Sequence, residues 1–220
     1  MCGRFNLRVI PEQLQQFFDL LQPMEVSPRF NIAPTQTTIV CRHDQAGNRE
    51  LVPLKWGLIP GWAKEARLGA SLINARGETV AEKPSFRSAF RKRRCLIPMS
   101  GFYEWRREGK MKRPFHIHHA DDSLFAVAGL WETWNQADMP IESFSIITTA
   151  ANSTMAPIHN RMPVVLEPEL FDAWLDPRSE PEFLTALLQP SEWTGFETVE
   201  VSPVVNNARH ESPECIQSRE

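Results

Sequence analysis

The second residue, Cys2, offers the most unusual chemistry in the sequence. A small side chain at position two permits removal of Met1, which leaves a cysteine with its α-amine and thiol on adjacent carbons. An α-amine has a pKa of about 7.7–8.0, so part of it is neutral at physiological pH and attacks an aldehyde to give an imine. The thiol can then close on the imine carbon to form a thiazolidine. A Met-Cys start is not rare, however, and is equally compatible with an incidental cysteine.

Three other polar residues have side chains suited to catalysis. Asn74, within residues 73–79, offers an amide that donates and accepts hydrogen bonds. Glu104 stands among aromatic residues, and apolar surroundings favour the proton-carrying form of a carboxyl. His159 follows a loop and precedes an apolar strand, a common position for an acid or base. Each also has a plain structural interpretation: a helix cap, a surface glutamate and a structural histidine.

Aromatic residues alternate with glycine and proline in residues 30–34 and 56–62. Such side chains stack on bases or wedge into a duplex end, although core packing explains them equally simply. His116, His118 and His119 resemble a metal-ligand cluster. On a strand, however, His116 and His118 share a face while His119 points away, and no cysteine or carboxylate has partner spacing. We therefore expect no metal and no cofactor.

The net charge of −3 argues against a protein that simply coats nucleic acid, but the charges are unevenly distributed. Ten of the 24 basic residues lie within residues 87–113: Arg87, Arg91, Lys92, Arg93, Arg94, Arg106, Arg107, Lys110, Lys112 and Arg113. Only Glu104 and Glu108 oppose them there. The cluster indicates either local attraction of a polyanion or a solvated hairpin with charged edges.

The length of 220 residues suits one domain, with a core over about residues 2–207 and a polar C-terminal tail. Hydrophobic patterns predict helices at 11–21, 85–92, 168–175 and 181–188. They predict strands at 37–41, 51–54, 95–105, 113–118, 124–131, 144–149, 161–166 and 197–201. Strands dominate and do not alternate regularly with helices. We therefore expect an α+β fold with a curled, barrel-like antiparallel or mixed β core and peripheral helices.

Neither a secretory signal nor a stretch of 18 apolar residues is present in the sequence. We expect a cytoplasmic protein that associates with the nucleoid when bound to DNA, with no membrane partner. No exposed apolar stripe is apparent, so we expect a monomer. The four scattered cysteines should be free thiols in a reducing compartment.

Six motifs occur in an order that resembles the SRAP (SOS-response-associated peptidase) family. They are Cys-Gly-Arg-Phe, Phe-Asn-Ile-Ala-Pro, Trp-Gly-Leu-Ile-Pro-Gly-Trp, Asn-Ala-Arg-Gly-Glu-Thr, Gly-Phe-Tyr-Glu-Trp and Ile-His-Asn-Arg-Met-Pro. The resemblance covers residues 2 to about 207. Each motif alone is weak, but six in this order are highly specific.

The resemblance implies covalent capture of abasic sites through a thiazolidine at Cys2, within a DNA damage response. It implies that Asn74 orients the amine or opened sugar, that Glu104 shuttles protons and that His159 acts on the sugar hydroxyl. The implied DNA contacts are Arg4, Asn31, Pro34, Trp62, Arg76, Thr148 and Arg161. The implied partners are single-stranded DNA and single-strand/double-strand junctions, where Trp62 forms a wedge. Ala63 follows it where relatives can carry a second bulky aromatic.

Two other functions remain open at this stage. An N-terminal-nucleophile thiol peptidase or amidase would use the amine as base and the thiol as nucleophile, and Met1 removal would then be autocatalytic. A non-covalent single-strand binding module would not need Cys2. Imine formation also permits strand cleavage, and we expect weak lyase activity at most because thiazolidine closure competes with it.

Overall fold

The computed structural model describes residues 2–219, and strands make up most of its regular structure. The strands are β1 (Phe5–Leu7), β2 (Arg29–Ile32), β3 (Thr37–His43), β4 (Arg49–Trp56), β5 (Asn74–Arg76), β6 (Arg94–Met99), β7 (Gly101–Glu108), β8 (Met111–His119), β9 (Phe125–Trp134), β10 (Ile141–Ala150), β11 (Arg161–Pro163), β12 (Val165–Leu166) and β13 (Phe196–Glu200). The helices are α1 (Pro11–Phe18), α2 (Arg87–Lys92), α3 (Phe171–Leu175) and α4 (Pro181–Ala186).

Five strands close into a mixed barrel. Strand β10 pairs in parallel with β4 and in antiparallel fashion with β9, and the path β4-β3-β6-β9 completes the circle. The short strands β5 and β11 extend the pairing of β10 beyond the barrel, and β12 pairs with β9. The predicted α+β fold with a barrel-like core is confirmed, and closure leaves few open strand edges.

A second, five-stranded sheet has the order β13-β8-β7-β1-β2. Strand β1 is antiparallel to β7, with Phe5 opposite Phe102, and the N–H of Tyr103 donates to the carbonyl of Arg4. Because antiparallel neighbours run in opposite directions, the residues before β1 lie beside the residues that follow Tyr103. This register brings the N-terminus next to Glu104.

Aromatic packing joins the N-terminal strand to the barrel. The ring of Trp56 lies 5.1 Å from that of Phe5 and 6.1 Å from that of Phe144, and all three are fully buried. The indole N–H of Trp56 donates to the carbonyl of Ile73 at 2.9 Å. This hydrogen bond fixes the backbone immediately before Asn74.

The prediction of one strand over residues 95–105 is wrong, because the segment is divided between the two sheets. Strand β6 belongs to the barrel and β7 to the second sheet, and Ser100 lies between them. The N–H of Ser100 donates to the carbonyl of Asn6, and its hydroxyl accepts from the N–H of Arg8. Strand β1 therefore binds at the division, a long-range pairing that local sequence does not reveal.

The first helix is three residues shorter than predicted, because Asp19 adopts a left-handed conformation (φ 49°) that ends it at Phe18. The segment after Val201 packs against the second sheet through two short 3-10 helices at Pro203–Asn206 and Pro213–Ile216, and Val205 and Cys215 are fully buried. Within the described chain, helices that combine the length and apolarity needed to cross a membrane are absent.

Candidate active site

Cys2 lies at the end of the second sheet and has no solvent-exposed surface. Burial raises the pKa of its thiol far above the ordinary value, and the negative charge of nearby Glu104 raises this pKa further. The backbone N–H of Arg4 donates to the sulfur and acts in the opposite direction. The thiol is therefore held in its neutral form.

Asn74, the first residue of β5, connects the barrel to Cys2. Its Nδ2 donates to the carbonyl oxygen of Cys2 at 2.9 Å. Its Oδ1 is also buried, and has no hydrogen-bond partner among the described atoms. An unpaired buried acceptor is costly and therefore rare. This acceptor belongs to the side chain that contacts Cys2, the residue that would become the new N-terminus.

Glu104 and His159 line one cavity of about 450 Å³, together with Trp105, Arg107, Lys112 and Asn206. Glu104 comes from β7 and is only 4% exposed, whereas His159 comes from the loop before β11. The structure thus brings together Cys2, Asn74, Glu104 and His159, which the sequence analysis treated as separate candidates. Cys2 is related to this cavity through Glu104, whose charge acts on the thiol, so a nucleophile lies near candidate acid and base groups, as in an active site.

The orientation of His159 is set by a backbone hydrogen bond. The N–H of Arg161 donates to His159 Nδ1 at 3.0 Å. The carbonyl oxygen of Arg161 lies farther from Nδ1, at 3.3 Å. Because Nδ1 accepts from the nearer N–H, the neutral ring carries its proton on Nε2. His159 therefore offers an N–H donor in its neutral state.

Three of the predicted DNA contacts lie near one another at the β5–β10–β11 edge. Arg76 is exposed and stands opposite Thr148 in the β5–β10 register. The Thr148 side chain is buried, and its carbonyl accepts from Arg161 Nη2 at 2.6 Å. Arg161 also forms a two-pronged ion pair with Glu78, which lowers the pKa of that carboxyl. Arg76 is thus open to a ligand, whereas Arg161 is bound to protein groups.

Arg4 and Asn31 hold the C-terminal segment. Arg4 Nη1 donates to Asn31 Oδ1 and to the carbonyl of Val205, both at 2.8 Å. Asn31 is fully buried, and its Nδ2 donates to the carbonyls of Asn207 and His210 at 3.1 and 2.7 Å. The Asn31 side chain therefore stabilises the fold near the site and is covered by protein.

The aromatic and proline candidates lie on other loops. Pro34 is partly buried between β2 and β3. Trp62 is 61% exposed, and its indole N–H donates to the carbonyl of Pro84 at 3.3 Å. Ala63, by contrast, is buried and accepts from the indole N–H of Trp134 at 2.6 Å. Trp62 is therefore presented to solvent by a loop that Ala63 anchors.

The basic run at residues 87–113 does not form one face. Arg94 is buried and donates to four backbone carbonyls, including those of Phe90 and Trp174. Arg93 pairs with Glu132 at 2.6 Å. The exposed remainder divides into a group on α2 and a group on the β7–β8 hairpin, where Arg107 and Lys112 reach the cavity.

The three adjacent histidines serve packing. His116 is buried, and burial lowers its pKa to about 2, with the charges of His118 and Arg8 adding to the effect. Its Nε2 accepts from Asn6 Nδ2 at 2.7 Å, and its ring stacks on that of His118. Over residues 2–219 no cluster of three or more His, Cys, Asp or Glu side chains is arranged to hold a metal ion.

Four cavity residues, Trp105, Arg107, Lys112 and Asn206, were not predicted as site residues. Arg107 and Lys112 were counted only as members of the basic run. Their positions opposite each other on the hairpin distinguish them from the other basic residues of that run. Asn206 lies near the end of the expected core, after the last predicted strand. Its Oδ1 accepts from the indole N–H of Trp105 at 2.7 Å, a contact across 101 residues that no local pattern predicts.

Comparisons with known proteins agree with these features. The profile of the family described as "SOS response associated peptidase (SRAP)" matches residues 1–208. The chain is 43% identical over 224 residues to abasic site processing protein YoqW of Bacillus subtilis, covering 99% of this chain and 100% of the relative. It is 30% identical to abasic site processing protein YedK of Escherichia coli, covering 99% of both chains.

A third relative and a solved structure extend the likeness. Abasic site processing protein HMCES of Rattus norvegicus is 32% identical, with 93% of this chain and 68% of the relative covered. A crystal structure of a protein from Bacteroides thetaiotaomicron superposes with a TM-score of 0.89 at 25% identity, covering 100% of both chains. This chain therefore belongs to the SOS response associated peptidase (SRAP) family, as its six motifs predicted.

Proposed function

We propose that this protein captures abasic sites in single-stranded DNA by forming a thiazolidine with Cys2 after Met1 is removed. The observation that carries the proposal is the position of Cys2, whose carbonyl accepts from Asn74 and whose thiol senses the charge of Glu104, a residue that lines one cavity with His159. The names of the relatives, which are abasic site processing proteins, supply the target. An abasic site exists partly as a ring-opened aldehyde, the electrophile that an aminothiol traps.

The reaction balances without a cofactor. The neutral α-amine of Cys2 attacks the aldehyde carbon, and the resulting carbinolamine loses water to give an imine. The thiol sulfur then bonds to the imine carbon, and its proton passes to the nitrogen. One water leaves overall, and nothing is oxidised or reduced.

Each neighbouring group has a task in these steps. Glu104, 4% exposed and close enough to act on the thiol, exchanges the protons that water loss and ring closure require. His159 donates from Nε2 to an oxygen of the opened sugar. Asn74 holds the carbonyl of Cys2 through Nδ2, and its unpaired Oδ1 accepts from the α-amine. The amine is then oriented before the aldehyde arrives.

Burial of the nucleophile favours a flexible strand as substrate. Cys2 has no exposed surface, so the lesion has to enter the cavity, which costs less in an unpaired strand than in a duplex. Arg76 is exposed beside the site and is suited to a phosphate contact. Trp62, 61% exposed, is suited to stacking where single and double strands meet. In this proposal the protein acts as a monomer in the cytoplasm, on the nucleoid.

Ring closure also limits strand cleavage. An imine at the sugar permits β-elimination, whereas a thiazolidine has no C=N bond to promote it. We therefore propose weak lyase activity at most. A peptidase acting on an amide would instead turn over through an acyl intermediate, and the basic residues at the cavity would have no role in it.

The proposal is tested with a single-stranded oligonucleotide that contains one abasic site. Mature wild type, Cys2→Ala and a form that retains Met1 are incubated with it and separated by denaturing electrophoresis. A denaturation-resistant adduct made by wild type alone supports aldehyde capture by the N-terminal cysteine. Absence of an adduct from protein whose Met1 is confirmed as removed refutes it and gives precedence to the peptidase function.

A further inference from the structure

We propose that Arg107 and Lys112 form a phosphate-binding subsite for the DNA strand that carries the lesion. This inference rests on the proposed function, since it names how that substrate is held. It concerns non-covalent recognition, however, and is tested without the covalent step. Neither residue is among the DNA contacts that the six motifs imply.

The two cations face each other directly. Arg107 is opposite Lys112 in the antiparallel β7–β8 register, so their side chains leave the same face of the hairpin. Like charges in this position repel each other and destabilise a hairpin. Such a pair is stabilised when an anion binds between its members, and a phosphate oxygen is the anion that DNA supplies.

Other arginines of the hairpin have acidic partners within the protein. Arg106 pairs with Glu108 at 2.6 Å. Arg113 pairs with Glu108 at 3.1 Å and also with Glu200. Arg107 and Lys112 are exposed, and no ion pair joins either of them to another described residue. Ion pairs thus neutralise Arg106 and Arg113 but leave Arg107 and Lys112 available.

The location points to the strand that reacts. Arg107 and Lys112 line the cavity of about 450 Å³ that Glu104 and His159 also line. The deoxyribose of an abasic site carries a phosphate on each side. A sugar that enters this cavity therefore brings a phosphate with it, and the forked guanidinium and the ammonium can share its oxygens.

Two other cations predicted to bind phosphate are less available. The guanidinium of Arg4 donates to Asn31 and Val205, and that of Arg161 donates to Glu78 and Thr148. A phosphate would have to displace these partners. Arg107 and Lys112 can bind without breaking such contacts, which makes the hairpin the stronger candidate.

The test measures affinity for a single strand that contains a tetrahydrofuran abasic analogue, which has no aldehyde and cannot be linked. The variant is Arg107→Ala/Lys112→Ala. The matched control is Arg91→Ala/Lys92→Ala, which removes the same charge from the exposed end of α2. We expect the hairpin variant to bind about tenfold or more weakly and to lose about one to two units of salt slope. The control should lose clearly less.

Replacing single phosphates with neutral methylphosphonates identifies the contact. One replacement next to the analogue should weaken binding by wild type but not by the hairpin variant. Equal losses in hairpin and control variants, or equal sensitivity to every replacement, would show general electrostatic attraction and overturn the proposal. A Lys112→Glu variant should keep or raise the Tm, because it removes the repulsion, and still bind weakly; a lowered Tm would overturn the account of the pair.

The outcome is separable from that of the proposed function. If wild type binds the analogue through Arg107 and Lys112 but forms no adduct with a true abasic site, the subsite is retained and thiazolidine capture is rejected. If instead wild type forms the adduct, but substituting Arg107 and Lys112 does not change its affinity for the analogue, thiazolidine capture is retained and the subsite is rejected.

Discussion

Two buried polar clusters lie along the same pair of strands, β1 and β7, and they differ in what their hydrogen bonds leave unused. In the first, Asn6 Nδ2 donates to the Tyr103 hydroxyl at 3.2 Å and to His116 Nε2 at 2.7 Å, and Tyr103 donates to the carbonyl of Phe30. Gly101 lies against this cluster, and because it has no side chain it leaves room for the His116 ring. We call Asn6, Tyr103 and His116 the closed cluster and the candidate active site the open cluster.

The second cluster is the candidate active site. Asn74 uses its amide donor on Cys2, but its buried Oδ1 has no partner in the described structure. Glu104 and His159 border a cavity of about 450 Å³. Burial and polar composition are common to both clusters. The unused acceptor and the adjoining cavity are what distinguish the second as the candidate active site.

The largest difference between the clusters should be in the rate of adduct formation after Glu104 is replaced. Glu104→Gln keeps the shape of the side chain but cannot relay protons, so we expect the rate of adduct formation to fall by about 100-fold or more. His116→Gln, in the closed cluster, should leave this rate nearly unchanged. Single-turnover kinetics with an abasic oligonucleotide measure both. Similar losses in the two variants would remove the distinction between the clusters.

The closed cluster should govern the dependence of stability on pH. The pKa of His116 is about 2 in the folded state, against about 6.5 when unfolded, so unfolding takes up a proton between these values. Its contribution to stability is complete above about pH 6.5 and falls as the pH is lowered, by about 1.4 kcal/mol per pH unit. Urea unfolding of wild type and His116→Gln between pH 7 and 5 measures this. Identical slopes would contradict a buried neutral His116.

Gly101 should be required for the closed cluster to pack. A Cβ at this position would lie 2.1 Å from His116 Nε2, too close for the ring to remain in place. We expect Gly101→Ala to lower the free energy of unfolding by about 1–3 kcal/mol. Gly61→Ala is the matched control, because the nearest atom to its Cβ is 3.6 Å away. The prediction fails if the two variants are equally stable.

A smaller effect is expected from the amide of the open cluster. Asn74→Ala removes the acceptor proposed for the α-amine and the donor to Cys2, and we expect adduct formation to slow by about tenfold, which is about 1.4 kcal/mol in the barrier. Asn74→Asp restores the acceptor alone. If Oδ1 orients the amine, the Asn74→Asp variant should recover part of the rate of adduct formation. A rate no better than that of Asn74→Ala would assign the effect to the Nδ2 donor.

Local sequence predicted the elements whose patterns are complete within one segment. The strands around the turn at residues 44–48 and the basic helix α2 are found where expected, because alternation and helical spacing act over a few residues. The short strands β1, β2 and β5 were not predicted. Each has three or four residues and is held by partners far away in the chain, such as Gly101 and Phe102 for β1.

The site was predicted to a similar extent. The types of Cys2, Asn74, Glu104 and His159 identified them as candidates. Their proximity depends on tertiary contacts: the β1–β7 register places Cys2 near Glu104, and the Trp56 hydrogen bond fixes the backbone before Asn74. The charge count at residues 87–113 was less informative. It did not distinguish Arg94, buried among carbonyls, from Arg107 at the cavity, since burial is decided by tertiary packing.

The most direct test of the central claim is the chemical form of the link to DNA. The adduct of wild type with an abasic oligonucleotide is treated with borohydride, and its intact mass and the modified residue are determined by mass spectrometry. The account predicts the mass of protein plus DNA minus one water, unchanged by borohydride, with the sugar on residue 2 through nitrogen and sulfur. A mass increase of two hydrogens, or a sugar attached to a lysine, would show an imine instead and contradict capture by the aminothiol of Cys2.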